Sequence, residues 1–204
     1  SIFQKRNIPI ITRSINIEPT HFLEEDGRTF GNYLKFLPKL MSELIAIRGS
    51  DFLFSITPDE EKVYKKYGAK KAETLPLRGL PSCLRERHTF SEKEPLNVFF
   101  MGSTYNVHHN KEALRLILKD IAPRVMRTHP GAFKFHILGT KIPEEFNAYF
   151  NEHVVYAGRK LDKALDDFLD RMDIALIPSL MGAGMQQKIF EPLARGIPAV
   201  ISPR

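Results

Sequence analysis

Residues 174–202 read IALIPSLMGAGMQQKIFEPLARGIPAVIS. The run IALIP is apolar throughout, as expected of a parallel strand buried on both faces, and IPAVIS at 197–202 reads as a further strand. Between them lies a loop holding Gly182, Ala183 and Gly184, followed by a helix whose apolar face is Met185, Ile189, Phe190, Leu193 and Ala194. Strand, glycine loop, helix, strand is the local geometry of an anion site. Glycine lets the backbone approach an oxyanion closely, and a helix start offers unpaired amides and about half a positive charge. Lys188 and Glu191 are three positions apart, which predicts that they share the helix side opposite the apolar stripe. Lys188 there suits a phosphate, and Glu191 suits two neighbouring ribose hydroxyls. The bland alternatives are an exposed ion pair worth tenths of a kcal/mol for the two side chains and a plain turn for the glycines. Pro192 fits this helix only if the helix starts late or irregularly, because an interior proline removes a backbone hydrogen bond.

Outward from this stretch the alternation continues. Strands are predicted at 97–102 (NVFFMG), 133–139 (FKFHILG), 154–158 (VVYAG) and 173–178, with helical stripes at 113–126, bent at Pro123, and 161–172. That is the pattern of a parallel sheet with covering helices. Residues 78–95 lose all periodicity and read as a linker. Before them come a buried strand at 8–12, a helix through Leu34, Leu37, Leu40, Met41, Leu44 and Ile45 that starts late or kinks at Pro38, and a strand at 51–56. A helix capped by Thr57, Pro58 and Glu60 and stopped by Gly68 follows, then a short strand at 74–77. The domains expected are 1–80, a linker at 81–95, and 96–204. The chain stops two residues after its last strand and opens without Met, which reads as truncation at both ends.

The 204 residues are 43% hydrophobic with net charge +6 and pI near 9.4. There are 16 basic and 13 acidic residues before Pro95 and 14 and 11 from there on, so each part carries +3 and no patch marks nucleic acid. The lysines between Lys62 and Lys71 read first as a solvated helix face, with a membrane surface as the minority reading. No apolar run of eighteen residues exists, and the lone Cys83 excludes an internal disulfide. The compartment expected is the cytoplasm, with peripheral contact at the inner membrane surface as the variant of that reading.

GAGMQQKIFEPLARGIPAV resembles the signature of the group-one glycosyltransferases, family 4 and its relatives. LDDFLDRMDIALIPS resembles the helix and strand before that loop, and NVFFMGS the first strand of the family's C-terminal domain. The resemblance covers 95–204 well and 8–77 more loosely. It implies a GT-B-type α/β fold, a Rossmann-like parallel sheet with helices on both faces. The first domain would be the closing part of the N-terminal Rossmann-like half, and 96–204 an incomplete nucleotide-sugar-binding half. The activity implied is transfer from a nucleotide-diphosphate sugar, of UDP or GDP type, to a hydroxyl of a glycan, lipid or small molecule, with retention and with no metal or other cofactor. Glu191 would bind the ribose, Lys188 the phosphates, and Gly182, Ala183, Gly184 and Met185 would face the sugar and diphosphate. Ala183 stands where many relatives carry a glutamate, and residues 102–109 lack the family's arginine and lysine pair. The catalytic residues stay unassigned. Rival readings are a noncatalytic nucleotide-binding module on the same fold and a nucleotide-sugar epimerase or hydrolase.

Further candidates follow from strand ends, where open α/β sheets place ligand loops. Gly102 and, beyond the first strand, His109 with Asn106 border the expected donor site, and Arg159 follows the third strand. Asn16 and Glu18 follow the strand at 8–12, with loop capping as the default. Asp162, Asp166, Asp167 and Asp170 read as a solvated helix face, and the histidines as surface or capping residues without metal-ligand spacing. The ligand would need about 8 kcal/mol for micromolar affinity, which several amides, one ammonium and a helix end can supply.

Overall fold

The predicted alternation becomes two separate parallel sheets in the computed structural model, which describes residues 8–15, 17–25, 29–75, 84, 94–178 and 187–202. The chain divides into two compact units, one holding 8–75 and the other 94–178 and 187–202.

The first unit comprises β1 (Ile11–Arg13), α1 (Glu18–Glu25), α2 (Phe30–Gly49), β2 (Phe52–Ser55), α3 (Pro58–Lys66) and β3 (Ala72–Thr74), with sheet order β1-β2-β3. α3 starts as its sequence predicts. Thr57 accepts from the Glu60 amide at 3.3 Å, Glu60 accepts from the Thr57 amide at 3.2 Å, and Gly68 ends the turn at φ 95°. Ile47, Leu53, Tyr64 and Ala72 form the core. Three expectations are corrected. The strand predicted as buried is an edge with Ile8 and Ile11 exposed, and β3 ends at Thr74, where the predicted strand begins. α2 starts at Phe30 and runs through Pro38, so the helix does not start late. Thr29 caps it, with its side chain accepting from the Asn32 amide, and twenty residues of helix outlast the one bond that Pro38 cannot make. Its Leu34, Leu37, Met41 and Ile45 are exposed, whereas Ile47 is buried. α1 was not foreseen.

The second unit runs β4 (Leu96–Thr104), α4 (His108–Leu116), a π turn (Ile117–Ile121), α5 (Ala122–Thr128), β5 (Phe133–Thr140), a 3-10 turn (Glu144–Tyr149), β6 (Val154–Gly158), α6 (Asp162–Leu169), β7 (Ile174–Ile177), a second 3-10 turn (Gln187–Ile189), α7 (Phe190–Ala194) and β8 (Ala199–Ile201). The sheet order β6-β5-β4-β7-β8 is parallel throughout. Counted within the unit this is 3-2-1-4-5, the doubly wound order. Side chains of β4 alternate between faces. Val98 and Phe100 join Ala113, Leu114, Ile117 and Leu118 on one side, and Phe99 joins Phe168, Leu169 and Met172 on the other. Burial on both faces is why the central strands β4 and β7 read as apolar runs, whereas at the edge strand β8 Val200 and Ile201 are exposed.

The bend expected at Pro123 takes a specific form. The Ala122 amide bonds to the carbonyl of Ile117, and α winding resumes after it. A wider turn lets the helix pass a residue that has no N–H to give.

Candidate functional site

The carboxyl ends of β4, β5 and β6 open onto a cavity of about 640 Å³ lying wholly within the second unit. Met101, Gly102, Leu138 and Gly139 form its floor, Arg159 and Lys160 enter from the turn after β6, and Lys188 enters from the turn before α7. Among the described residues, three cations and no carboxylate line it. Such a lining favours an anionic ligand.

The floor is built by Tyr105, which is fully buried and donates its hydroxyl proton to the Leu138 carbonyl at 2.6 Å. Burial pushes its phenol well above the ordinary range. A Cβ on Gly102 would meet the Tyr105 ring at 2.7 Å, and one on Gly139 would meet the Gly102 carbonyl oxygen at 2.3 Å. Gly139 also sits at φ 143°. Glycine at 102 therefore has a packing reason that needs no ligand.

Lys188 is half-buried. Its ammonium donates to Asn110 Oδ1 and lies 5.5 Å from the centre of the Phe100 ring. Asn110, in the first turn of α4, is 2% exposed, and its Nδ2 donates to the Thr104 carbonyl at 2.9 Å. Burial lowers the Lys188 ammonium to about 8, and among the described residues no carboxylate pairs with it. Arg159 lines the cavity, and Lys160 beside it lies 5.3 Å from the Phe168 ring.

Glu191 has a different partner. Its Oε1 accepts from Arg195 Nε at 2.8 Å and Nη2 at 2.7 Å. Arg195 is buried and also contacts Asp166 and, at 3.6 Å, Asp170. This corrects three expectations. Lys188 and Glu191 do not share an exposed helix side, because Lys188 precedes α7 and points across the sheet end, whereas Glu191 points along α7. Asp166 and Asp170 bind α6 to α7 through Arg195, although Asp162 and Asp167 are exposed as read. Leu193, assigned to the apolar face, is 54% exposed, whereas Ile189 packs on the core and Ala194 is buried. Pro192 is explained by the late start: with α7 beginning at Phe190 it falls where the amide has no helical partner.

Gly182, Ala183, Gly184 and Met185 lie outside the described residues, as do Asn16 and Cys83. A five-residue α7 supplies little macrodipole, so the charge offered by the described residues is that of side chains. His109 is half-buried in α4 beside Asn110 and is not part of the cavity lining, nor is Asn106. Glu18 opens α1 and accepts from Lys39 at 3.1 Å. His136 is no surface residue: it bonds Asn97 Oδ1 at 2.9 Å and packs edge-on to Phe168. Burial, helped by Lys134 and Arg171, lowers it to about 4. Lys62 and Lys65 pair with Asp59 and Glu61 on α3, as a solvated face would. Among the described residues no group of three His, Cys, Asp or Glu could hold a metal ion, and no helix is long and apolar enough to cross a membrane. Sequence reasoning missed Asn110 and Arg195. Asn110 carried one signal, its place just after the strand at which a doubly wound sheet reverses.

A 3-2-1-4-5 parallel sheet with a cation-lined cavity over its strand ends defines an α/β unit of Rossmann type. The chain belongs to the group 1 glycosyl transferases, whose family model matches residues 95–204. Curated proteins give no match. Among solved structures, sucrose-phosphate synthase of Thermosynechococcus elongatus is 15% identical, with TM-score 0.65 over 98% of this chain and 52% of that one. OtsA in its apo form is 13% identical, with TM-score 0.61 over 97% of this chain and 54% of that one. A structure described as trehalose-6-phosphate from E. coli bound with UDP-2-fluoro glucose is 13% identical, with TM-score 0.56 over 81% of this chain and 48% of that one. These likenesses show the fold, α/β of GT-B type, and the chain spans about half the length of the structures it matches.

Proposed function

We propose that this chain carries the donor-binding part of a glycosyltransferase and that its cavity takes the diphosphate of a nucleotide sugar. The observation that carries the reading is Lys188, a half-buried ammonium with a neutral amide for its partner, at the edge of a cavity whose charged lining among the described residues is cationic. An ion removed from water without a counterion raises the energy of the empty site, and a diphosphate restores the balance. Arg159 would add a second contact, and Glu191 would accept ribose hydroxyls on Oε2 while Arg195 holds Oε1. As the glycosidic bond breaks, charge grows on the leaving diphosphate, so a fixed ammonium lowers the barrier more than it aids ground-state binding. In this reading residues 96–204 are the donor half and 1–80 belong to the other half. Transfer is metal-independent and retaining, to a glycan, lipid or small-molecule hydroxyl, by a cytoplasmic enzyme, with peripheral contact at the inner membrane surface as the variant of this reading. Family membership and the neighbour holding UDP-2-fluoro glucose support a nucleotide-sugar donor.

Calorimetry with UDP, GDP and ADP tests it. One of them is expected to bind at micromolar level, and Lys188→Ala to weaken it roughly tenfold to a hundredfold. Absence of binding to all three would favour a noncatalytic module, and unchanged affinity in Lys188→Ala would remove the diphosphate from this cavity. Incubation of the bound nucleotide's sugar derivative, followed by NMR, separates transfer from epimerisation or hydrolysis.

A further inference from the structure

Lys188 follows β7 and Asn110 follows β4, the two adjacent strands at which the sheet order reverses. Connections diverge there to opposite faces, so a side chain from one meets a side chain from the other over the crevice. Asn110 is fixed at both ends of its amide. A backbone carbonyl only accepts and an ammonium only donates, so Nδ2 must face Thr104 and Oδ1 must face Lys188 for both to be satisfied. We propose that Asn110 is a positioning residue for donor binding: its carboxamide, tied to the end of β4, holds the Lys188 ammonium at the cavity without neutralising it. The inference rests on the reading of the cavity as a diphosphate site.

The chemistry of the position explains why an amide stands there. A carboxylate would pair with the ammonium and compete with the incoming anion. An alanine would leave the ammonium against the Phe100 ring with no acceptor among the described residues, which disfavours the charged form. The other charged groups lining the cavity are Arg159 and Lys160, both cations, and the titratable neighbour on α4 is His109. Asn110 is thus the acceptor the structure gives Lys188 among the described residues.

The test reads Lys188 directly. Its titration is followed by NMR of 13Cε-labelled lysine, assigned with Lys188→Arg, in the 204-residue chain and in Asn110→Ala and Asn110→Asp. Asn110→Ala is expected to move the Lys188 midpoint down and Asn110→Asp to move it up, opposite signs that a merely structural role does not produce. Affinity for UDP, GDP or ADP should fall roughly tenfold or more in both. The Lys188→Ala, Asn110→Ala double variant should bind no more weakly than Lys188→Ala alone. A midpoint unmoved by either substitution, or additive losses in the double variant, overturns the inference. If no nucleotide binds the unaltered chain, the diphosphate reading fails while the NMR midpoints still decide whether Asn110 holds Lys188. Asn110→Asp is isosteric, so it carries the test even if Asn110→Ala does not fold.

Discussion

Lys188 and Arg195 are seven positions apart, both withdrawn from water, and solved in opposite ways. Burial pulls the Arg195 guanidinium down, yet Asp166 and Glu191 hold it above its ordinary value, and Asp170 stands 3.6 Å away. Around Lys188 stand an amide and an aromatic ring, and burial alone brings it down to about 8. The first arrangement is charge-compensated and serves the fold, fastening α7 to α6, although Arg195 Nη1 is buried without a hydrogen bond. The second lacks a counter-charge among the described residues, the kind of incompleteness that the proposed diphosphate would fill. The guanidinium suits the first task because its fork meets several carboxylates at once, and the compact ammonium suits the second.

The sharpest way to break this contrast is Arg195→Met. Three carboxylates then face one another, and stability should drop by about 2–3 kcal/mol, less than for a fully buried cluster because Asp166 and Asp170 are nearly half-exposed. Denaturant unfolding measures it, and a drop below about 0.5 kcal/mol would mean that the cluster is ornamental. Lys188→Met should act in the opposite sense, costing nucleotide affinity and no stability. The pH dependence sharpens the point. The folded-state midpoint near 8 lies below the ordinary 10.5, so between those values the folded chain sheds its proton before the unfolded one. The unaltered chain should therefore gain stability relative to Lys188→Met as pH rises from about 8 to 10.5. A flat difference across that window would show that the ammonium is solvated. Smallest is Asp170→Asn, whose 3.6 Å contact should be worth only tenths of a kcal/mol, within reach of a double-mutant cycle with Arg195.

The two regions also differ in how readable they were. The central strands β4 and β7 declared themselves as apolar runs because both faces are covered, and the α3 capping box is written in three residues. The site was legible as chemistry and not as geometry. Lys188 stands out in the sequence because a glycine loop and a buried strand precede it. Its partner lies 78 positions earlier, joined only through sheet order, and no local pattern marks Asn110 as buried. Arg195 was hidden for a related reason: at a helix end it looks like an ordinary surface arginine, and the aspartates four apart on α6 look like a wet face. Long-range electrostatic pairing leaves no period in a sequence. The exposed edge β1 misled because a short β-branched run has the same composition at an edge as in a sheet centre.

The π turn at Ile117–Ile121 bears on how the two ends of one helix are governed. A surplus residue in the winding rotates everything beyond it by about 100°. The segment carrying Asn110 can therefore take the orientation that the crevice demands, while Val125 and Met126 beyond the turn still find the hydrophobic interior. One rod thus answers to two masters, with the slack between them stored in a single loosened coil.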